Sequence, residues 1–419
     1  MYSNSSTIVP TRLAVGLAAL ALGLSSAWGF GGIDAGPLSI GGAIRASYVQ
    51  GDYEKDDSGA PQRGGNGGNF ELDTFRINLD FDHEGWLGKA EYRWYDGYNF
   101  LHTGWVGYES EKLGHVELGL NRVPFGVGAY GPANSWFFDQ HYYVGLADHM
   151  KLGVKFTRSV GDLTLDAGYY FRDMPNGCGA SPHSARYAFT VVDEDVGDIP
   201  GVYRETHQLN ARAIYAIEKL KTDVGVSAQW TRMDAQDSRA KDSDAYAVSA
   251  HTKSTFGPVG IMLQLTSYDF DPDYRVDADG VRPSTDLVNM GAYDFAWPVA
   301  SKGLIPSMAM SYTIKEPVSW IDAITFYSDY SVIVKDGSLD GTDFNDSTLF
   351  VNGMSIARGN WFIYVDYALS DGNYFVGNEG DDYGMGDEGS YSQAAVGDFG
   401  ANRNDKWNGR FNINFGYYF

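Results

Sequence analysis

The chain has 419 residues, 43% of them hydrophobic, with 29 Tyr, 23 Phe, 10 Trp, 52 Gly, one Cys and a formal net charge of −23. That charge argues against nucleic acid or anionic lipid as a partner, since both repel acidic surfaces, and a single cysteine excludes an internal disulfide framework. Aromatic residues favour pleated surfaces and glycine favours turns, so the composition points to β structure. The length would hold two or three soluble domains, but no Pro-rich or Ser-rich linker divides it.

In chain order, the N-terminus reads as a secretory signal. Arg12 precedes an apolar run over 13–24, and the small residues Ser25, Ser26 and Ala27 follow. The run is shorter than the roughly 20 residues that a helix needs to cross a bilayer. Cleavage after Ala27 or after Gly29 fits equally, so we expect a signal segment over 1–29 and a mature domain over 30–419. An N-terminal anchor helix is the alternative. Downstream there is no apolar run of the roughly 18 residues that would mark a transmembrane helix.

What repeats instead is alternation with period two. In Phe75-Arg76-Ile77-Asn78-Leu79-Asp80-Phe81-Asp82 every second residue is apolar, and 163–169, 224–230 and 259–265 repeat the pattern. Side chains alternate faces along a strand, so each such strand has a greasy face and a wet one. Sixteen strands follow from this, at about 38–50, 70–83, 87–96, 102–110, 115–123, 149–158, 163–172, 206–217, 222–232, 244–253, 258–268, 306–315, 320–332, 347–357, 361–370 and 407–419. Their connections alternate between short and long, with only 97–101 brief among the long ones. A soluble sandwich has no reason to sort its loops this way. An even number of antiparallel strands with short periplasmic turns and long extracellular loops is the signature of a transmembrane β-barrel, closed because a sheet edge in lipid would leave backbone groups unpaired. The expected class is therefore all-β, an antiparallel barrel of about 16 strands in the bacterial outer membrane.

The last strand is the most specific single feature. Phe411, Ile413, Phe415, Tyr417 and the terminal Phe419 alternate with mostly polar or small residues. This resembles the C-terminal signal that the barrel-assembly machinery reads in outer-membrane porins; an ordinary amphipathic strand that happens to end on Phe would look the same. Trp94, Trp230, Trp361 and Tyr417 sit near strand ends, where aromatic girdles meet lipid headgroups.

No Gly-x-Ser-x-Gly elbow, His-Glu-x-x-His or Cys-x-x-Cys is present, so no enzyme, cofactor or catalytic residue is expected. His141 and His149 share one segment, but a solvated pair is the better reading than a metal site. Asp271, Asp273, Asp277 and Asp279-Gly280 resemble a calcium loop only faintly: the spacing is off and no Glu follows at the right distance.

Charge position is more informative. The long loops 51–68, 173–205, 269–305, 335–346 and 371–406 hold 29 acidic and 10 basic residues, a net −19. An acidic mouth would enrich cations within a Debye length of about 8–10 Å. Solubility in a salty habitat, or divalent-ion bridging to lipopolysaccharide, would account for the same excess. On the wet face lie Arg45, Arg76, Lys89, Arg93, Lys151, Lys155, Arg172 and Arg212, interleaved with Asp80, Asp82, Glu91, Glu117 and Asp166. These line the pore either as a transverse field that orients solutes or as plain cross-strand ion pairs.

Segment 124–148, the third long loop, carries Tyr130, Trp136, Phe137, Phe138, Asp139, Tyr142 and Tyr143. It begins with Pro124, which cannot donate to a ladder, and is too apolar for a free surface loop. We expect it to fold inward and narrow the channel; packing against a neighbouring subunit is the alternative. The preceding Gly119-Leu120-Asn121-Arg122-Val123-Pro124-Phe125-Gly126 resembles the end of the fifth strand in the phosphate-selective porin O and P family. That resemblance implies a sixteen-stranded homotrimer. The family's phosphate selectivity depends on channel arginines and lysines, whereas here the wet face is mixed and the mouth acidic.

The function expected is a porin: a water-filled channel for passive diffusion of small hydrophilic solutes or ions, embedded in outer-membrane lipid and lipopolysaccharide. A surface adhesin or receptor using the acidic loops, and a phosphate- or anion-selective porin, are the alternatives. A long-chain lipid transporter needs a plug before the first strand, and only about eight residues separate Phe30 from it.

Overall fold

The computed structural model of the protein describes residues 32–53, 68–196, 199–276, 280–339, 341–373, 375–377 and 407–419. The signal segment, the calcium-like Asp277 and Asp279, and most of the acidic loops at 51–68 and 371–406 lie outside the described residues.

Sixteen antiparallel strands close on themselves: β1 Leu38–Gly51, β2 Asn69–His83, β3 Trp86–Trp94, β4 Asn99–Ser110, β5 Gly114–Arg122, β6 Met150–Val160, β7 Leu163–Asp173, β8 Tyr203–Ile217, β9 Thr222–Ala235, β10 Ser243–Phe256, β11 Val259–Phe270, β12 Lys302–Val318, β13 Ile321–Asp336, β14 Ser347–Arg358, β15 Trp361–Ser370 and β16 Asn408–Tyr418. Each pairs with the next, and β1 pairs with β16 from Ala43↔Tyr418 to Gly51↔Arg410, so no barrel edge is left open. Closure pairs the two edge strands that an open sheet would leave exposed, as a medium without water requires.

The sheet has one face for each environment. Leu209, Val226, Val248 and Leu265 point outward, 49–58% exposed, while their strand neighbours Gln208, Ser227, Ser249 and Gln264 are buried inside. Trp361 pairs with Tyr417 near the short-turn end, and Trp94 ends β3 near the long-loop end. Trp230, by contrast, sits well inside β9, between Leu209 and Tyr246 on the outer face.

A short strand, Ile33–Ala35, precedes β1 and folds back on Leu38, Ser39 and Ile40 through a turn at Gly36, where φ is +69°. It occupies the β1 edge beyond the C-terminus. Phe419 exchanges backbone hydrogen bonds with Gly42 at 2.7 and 3.0 Å, and the short strand continues that line. Sequence patterning started the barrel at 38 and missed it, because three residues are too few to show a period.

A bulge changes one side-chain assignment. Between β6 and β7 the register jumps from Leu152↔Arg172 to Gly153↔Tyr170, which leaves Phe171 unpaired. Side-chain parity flips there. Asp173 then faces inward to Lys151, while Arg172 pairs with outward Leu152 and Thr206. Arg172 does not line the lumen, contrary to the alternation read from sequence.

Candidate functional site

The loop between β5 and β6 crosses the lumen. Its two ends are tied by Arg122 donating to Asp148 at 2.7 Å. Gly126 then turns the chain inward. Its φ is +66°, and a Cβ there would sit 2.5 Å from the Gln264 amide oxygen, so only glycine fits comfortably. Its N–H donates to Ser227 Oγ at 3.0 Å and the Val127 N–H to Gln264 Oε1 at 2.8 Å, both on the far wall.

Two wall carboxylates hold the loop's tip. Asp329 accepts from the Asn134 N–H at 2.7 Å, the Asn134 amide at 2.9 Å and the Ser135 N–H at 2.8 Å. Asp366 accepts from the Trp136 N–H at 3.3 Å and from the Tyr327 hydroxyl at 2.5 Å. A single helical turn, α1, Gln140–Tyr143, follows, and the Gln140 N–H donates to Ser331 Oγ at 3.0 Å.

Asp139, His141 and Thr266 form a row, with His141 Nδ1 2.5 Å from Asp139 and Nε2 2.7 Å from Thr266 Oγ1. All three are at most 1% exposed. The row has the order of a catalytic relay, but no face is open to a substrate; it fastens the loop to β11 and β12, where Ser307 donates to Asp139 at 3.0 Å. His141 and His149 are both buried rather than solvated, and His149 Nδ1 reaches the Gly145 carbonyl at 2.5 Å. His149, Asp173 and Glu205 stand close enough together to hold an ion. Lys151 Nζ already lies 2.7 Å from Asp173 and 2.6 Å from Glu205, so a lysine supplies the positive charge there.

The mouth is more built than sequence patterning implied. Thr190–Val191, Leu287–Ala292 and Phe295–Ala300 make a three-stranded sheet inside two of the long loops. Phe189, Tyr293, Trp297 and Phe375 pack with Tyr142 and Tyr143 in one aromatic core. The Tyr142 and Tyr293 hydroxyls touch. Burial pushes both phenols well up from their ordinary range, so they stay neutral hydrogen-bonding groups. Long loops without a period hid this from sequence reading; the Phe, Tyr and Trp content of 173–205 and 269–305 was its one available sign.

On the opposite wall the predicted charges stand as neighbouring pairs. Arg45 lies 2.8 Å from Asp73, Arg93 2.5 Å and Arg76 3.6 Å from Glu91, and Lys89 3.2 Å from Asp80. Lys155, 2.9 Å from Glu117, and Arg212, 2.8 Å from Asp166, stand instead on β6 and β8, where Arg212 also donates to the Gly126 carbonyl at 3.3 Å. Asp82 is exposed beside the short turn that ends β2. Sequence reading missed Arg410, which faces inward from β16. Its guanidinium lies over the Trp136 and Phe137 rings at 5.1 and 5.0 Å. The even positions of the last strand were the available sign, as Asn412 and Asn414 share that face.

Between this wall and the inward loop a cavity of about 820 Å³ remains. Arg45, Arg76, Arg93 and Arg410 line it from β1, β2, β3 and β16, and Tyr130, Trp136 and Phe138 face them from the loop. Phe137, Tyr142 and Tyr143 reach the same cavity but are otherwise buried, whereas Asp139 is absent from its lining.

No protein-family model matches the sequence, and no curated protein sequence does either. Solved structures do match. Among them is the trimer form of in-vitro folded OmpT, an outer membrane protein of Vibrio cholerae, at 15% identity and a TM-score of 0.55, covering 92% of this chain and 100% of that one. The outer membrane channel DcaP of Acinetobacter baumannii matches at 10% identity and a TM-score of 0.53, with 91% and 97% covered. Salmonella typhi OmpF, in a complex with daunomycin, matches at 11% identity and 0.53 over the same shares. At such identities the likeness is one of fold: the chain shares the closed antiparallel β-barrel of these outer-membrane proteins, and nothing in the likeness singles out the phosphate-selective branch.

Proposed function

We propose that the protein is an outer-membrane channel for passive diffusion of small hydrophilic solutes, narrowed by the loop 124–148. The observation that carries the reading is the cavity of about 820 Å³ left between the inward loop and a charged wall, inside a barrel whose outer face is apolar. A filled barrel would leave no such cavity beside its polar inner face, and a receptor acting through its loops alone would not need one. Export by segment 1–29, insertion among lipid and lipopolysaccharide by the assembly machinery, and a homotrimer complete the proposal. The resemblance of 119–126 keeps a phosphate channel as second reading, favoured by four arginines on one wall. Against it, Arg45, Arg76 and Arg93 each have a carboxylate within 3.6 Å, which suits an orienting field better than capture of a free anion.

The test is planar-bilayer reconstitution of the purified mature protein. Discrete conductance steps that scale with salt concentration are expected. Insertion without any step would defeat the channel reading and return the loops to a receptor role.

A further inference from the structure

We propose that the lumen cavity is a binding subsite for planar aromatic carboxylates, a claim that rests on the channel reading above. Its volume of about 820 Å³ falls in the range of small-molecule sites, roughly 300–1,000 Å³. Its two walls differ in chemistry. Arg45, Arg76, Arg93 and Arg410 come from four consecutive strands of the closed sheet, β16, β1, β2 and β3. The inward loop answers with rings and no carboxylate: Asp139 turns away to His141 and Ser307, and Asp148 is taken by Arg122 and Tyr187. Tyr130 and Phe138 lie parallel, their centroids 5.3 Å apart and their planes 4° from one another, and both are only half-buried, as is Trp136.

Charge alone does not select a solute here. The same lining holds Glu71, Asp73 and Asp96 against its four arginines, so a simple anion meets nearly balanced charge. Rings alone do not select one either, because the guanidinium wall would then be left facing an apolar surface. A solute that carries a flat ring and a carboxylate satisfies both walls at once: the ring lies on Tyr130, Trp136 and Phe138, and the carboxylate displaces water from the guanidinium donors. The arginines favour the same orientation, since they already stack on rings in this site: Arg76 lies 5.4 Å from the Tyr418 ring and Arg93 4.6 Å from that of Tyr187.

The experiment measures block of single-channel current by benzoate, by hexanoate of equal charge and by neutral benzyl alcohol. It is run in 1 M potassium chloride, where the field of the acidic mouth is screened beyond about 3 Å. Benzoate should reach half-block at about one tenth of the concentration that either of the others needs, the discrimination expected of one or two ring contacts plus one charge-assisted contact. Tyr130→Leu should bring benzoate to within about twofold of hexanoate, and Arg76→Gln to within about twofold of benzyl alcohol. Each ratio is taken within one variant, so a change in its conductance cancels. Equal block by benzoate and hexanoate in the unaltered channel would overturn the aromatic part of the proposal. Equal block by benzoate and benzyl alcohol would overturn the carboxylate part. Absence of conductance would defeat the channel reading itself, a result distinguishable from both.

Discussion

Replacing Asp329 by alanine tests whether the wall holds the constriction. The carboxylate accepts three hydrogen bonds from the loop, at 2.7, 2.8 and 2.9 Å. Bonds to a charged acceptor contribute about 1.5–3 kcal/mol each, but water entering the vacated space recovers part of that. A net loss of about 2–4 kcal/mol at the loop tip is therefore expected. It multiplies the population of the detached tip by about 30-fold at the lower end and several hundredfold at the upper. The loop does not leave altogether, because Ser227, Gln264, Ser331 and Asp366 still hold its two flanks. The expected result is a channel that assembles normally, with excess current noise and access for larger polyethylene glycols than the unaltered channel admits. Asp329→Asn keeps one acceptor oxygen and should fall between the two. If Asp329→Ala conducts quietly with an unchanged size limit, Asp329 is not what holds the loop tip in place, and the reasoning that the wall carboxylates set the width of the lumen fails.

Three further outcomes follow from the same geometry. The loop acids should give a cation preference in the reversal potential at 0.1 M potassium chloride, where the Debye length is about 10 Å, and lose it at 1 M, where it is about 3 Å; an anion preference at low salt would mean that the arginine wall sets selectivity. Deleting Phe419 removes two backbone hydrogen bonds to Gly42, about 1–3 kcal/mol against the whole barrel, so purified protein should still refold and migrate in a heat-modifiable way, while assembly in cells fails. Wild-type levels of the truncated protein in the outer membrane would show that the last strand is only a strand. Gly126→Ala forces a side chain into φ +66° and against Gln264, costing about 1–2 kcal/mol for the backbone alone; it should raise protease cleavage within 124–148 in detergent, and unchanged protection would show that the loop turns inward without needing glycine there.

The barrel was legible because an apolar outer face and a polar inner one impose period two on every strand, and short turns impose their rhythm on the rest. Strands such as β7 and β15 match their sequence limits to within a residue or so. Where a bulge interrupts the period, as at Phe171, the sequence still alternates on paper and Arg172 is assigned to the wrong face. Loop placement was legible only as a balance of solubility: six aromatics over 130–143 had to pack on something. The wall groups that hold the loop through Asn134, Trp136, Gln140 and His141, namely Asp329, Asp366, Ser331 and Thr266, lie 125–230 residues further along the chain, and no local pattern announces them.

This division also explains why the acids that matter at the tip were overlooked. Asp329 and Asp366 alternate correctly as wet-face residues, so in the sequence they look like any other lumen acid. Their role comes from what the loop brings to them, a pair of backbone N–H groups at Asn134 and Ser135 and another at Trp136. With the loop bound there, those carboxylates are spent on it, and Asp139 is spent on His141 and Ser307. The charge that remains toward the cavity comes mainly from the seam wall of β16 to β3. The fold thus uses the acids of one wall to anchor the inward loop and leaves the arginines of the other lining the cavity, where the proposed solute would meet them.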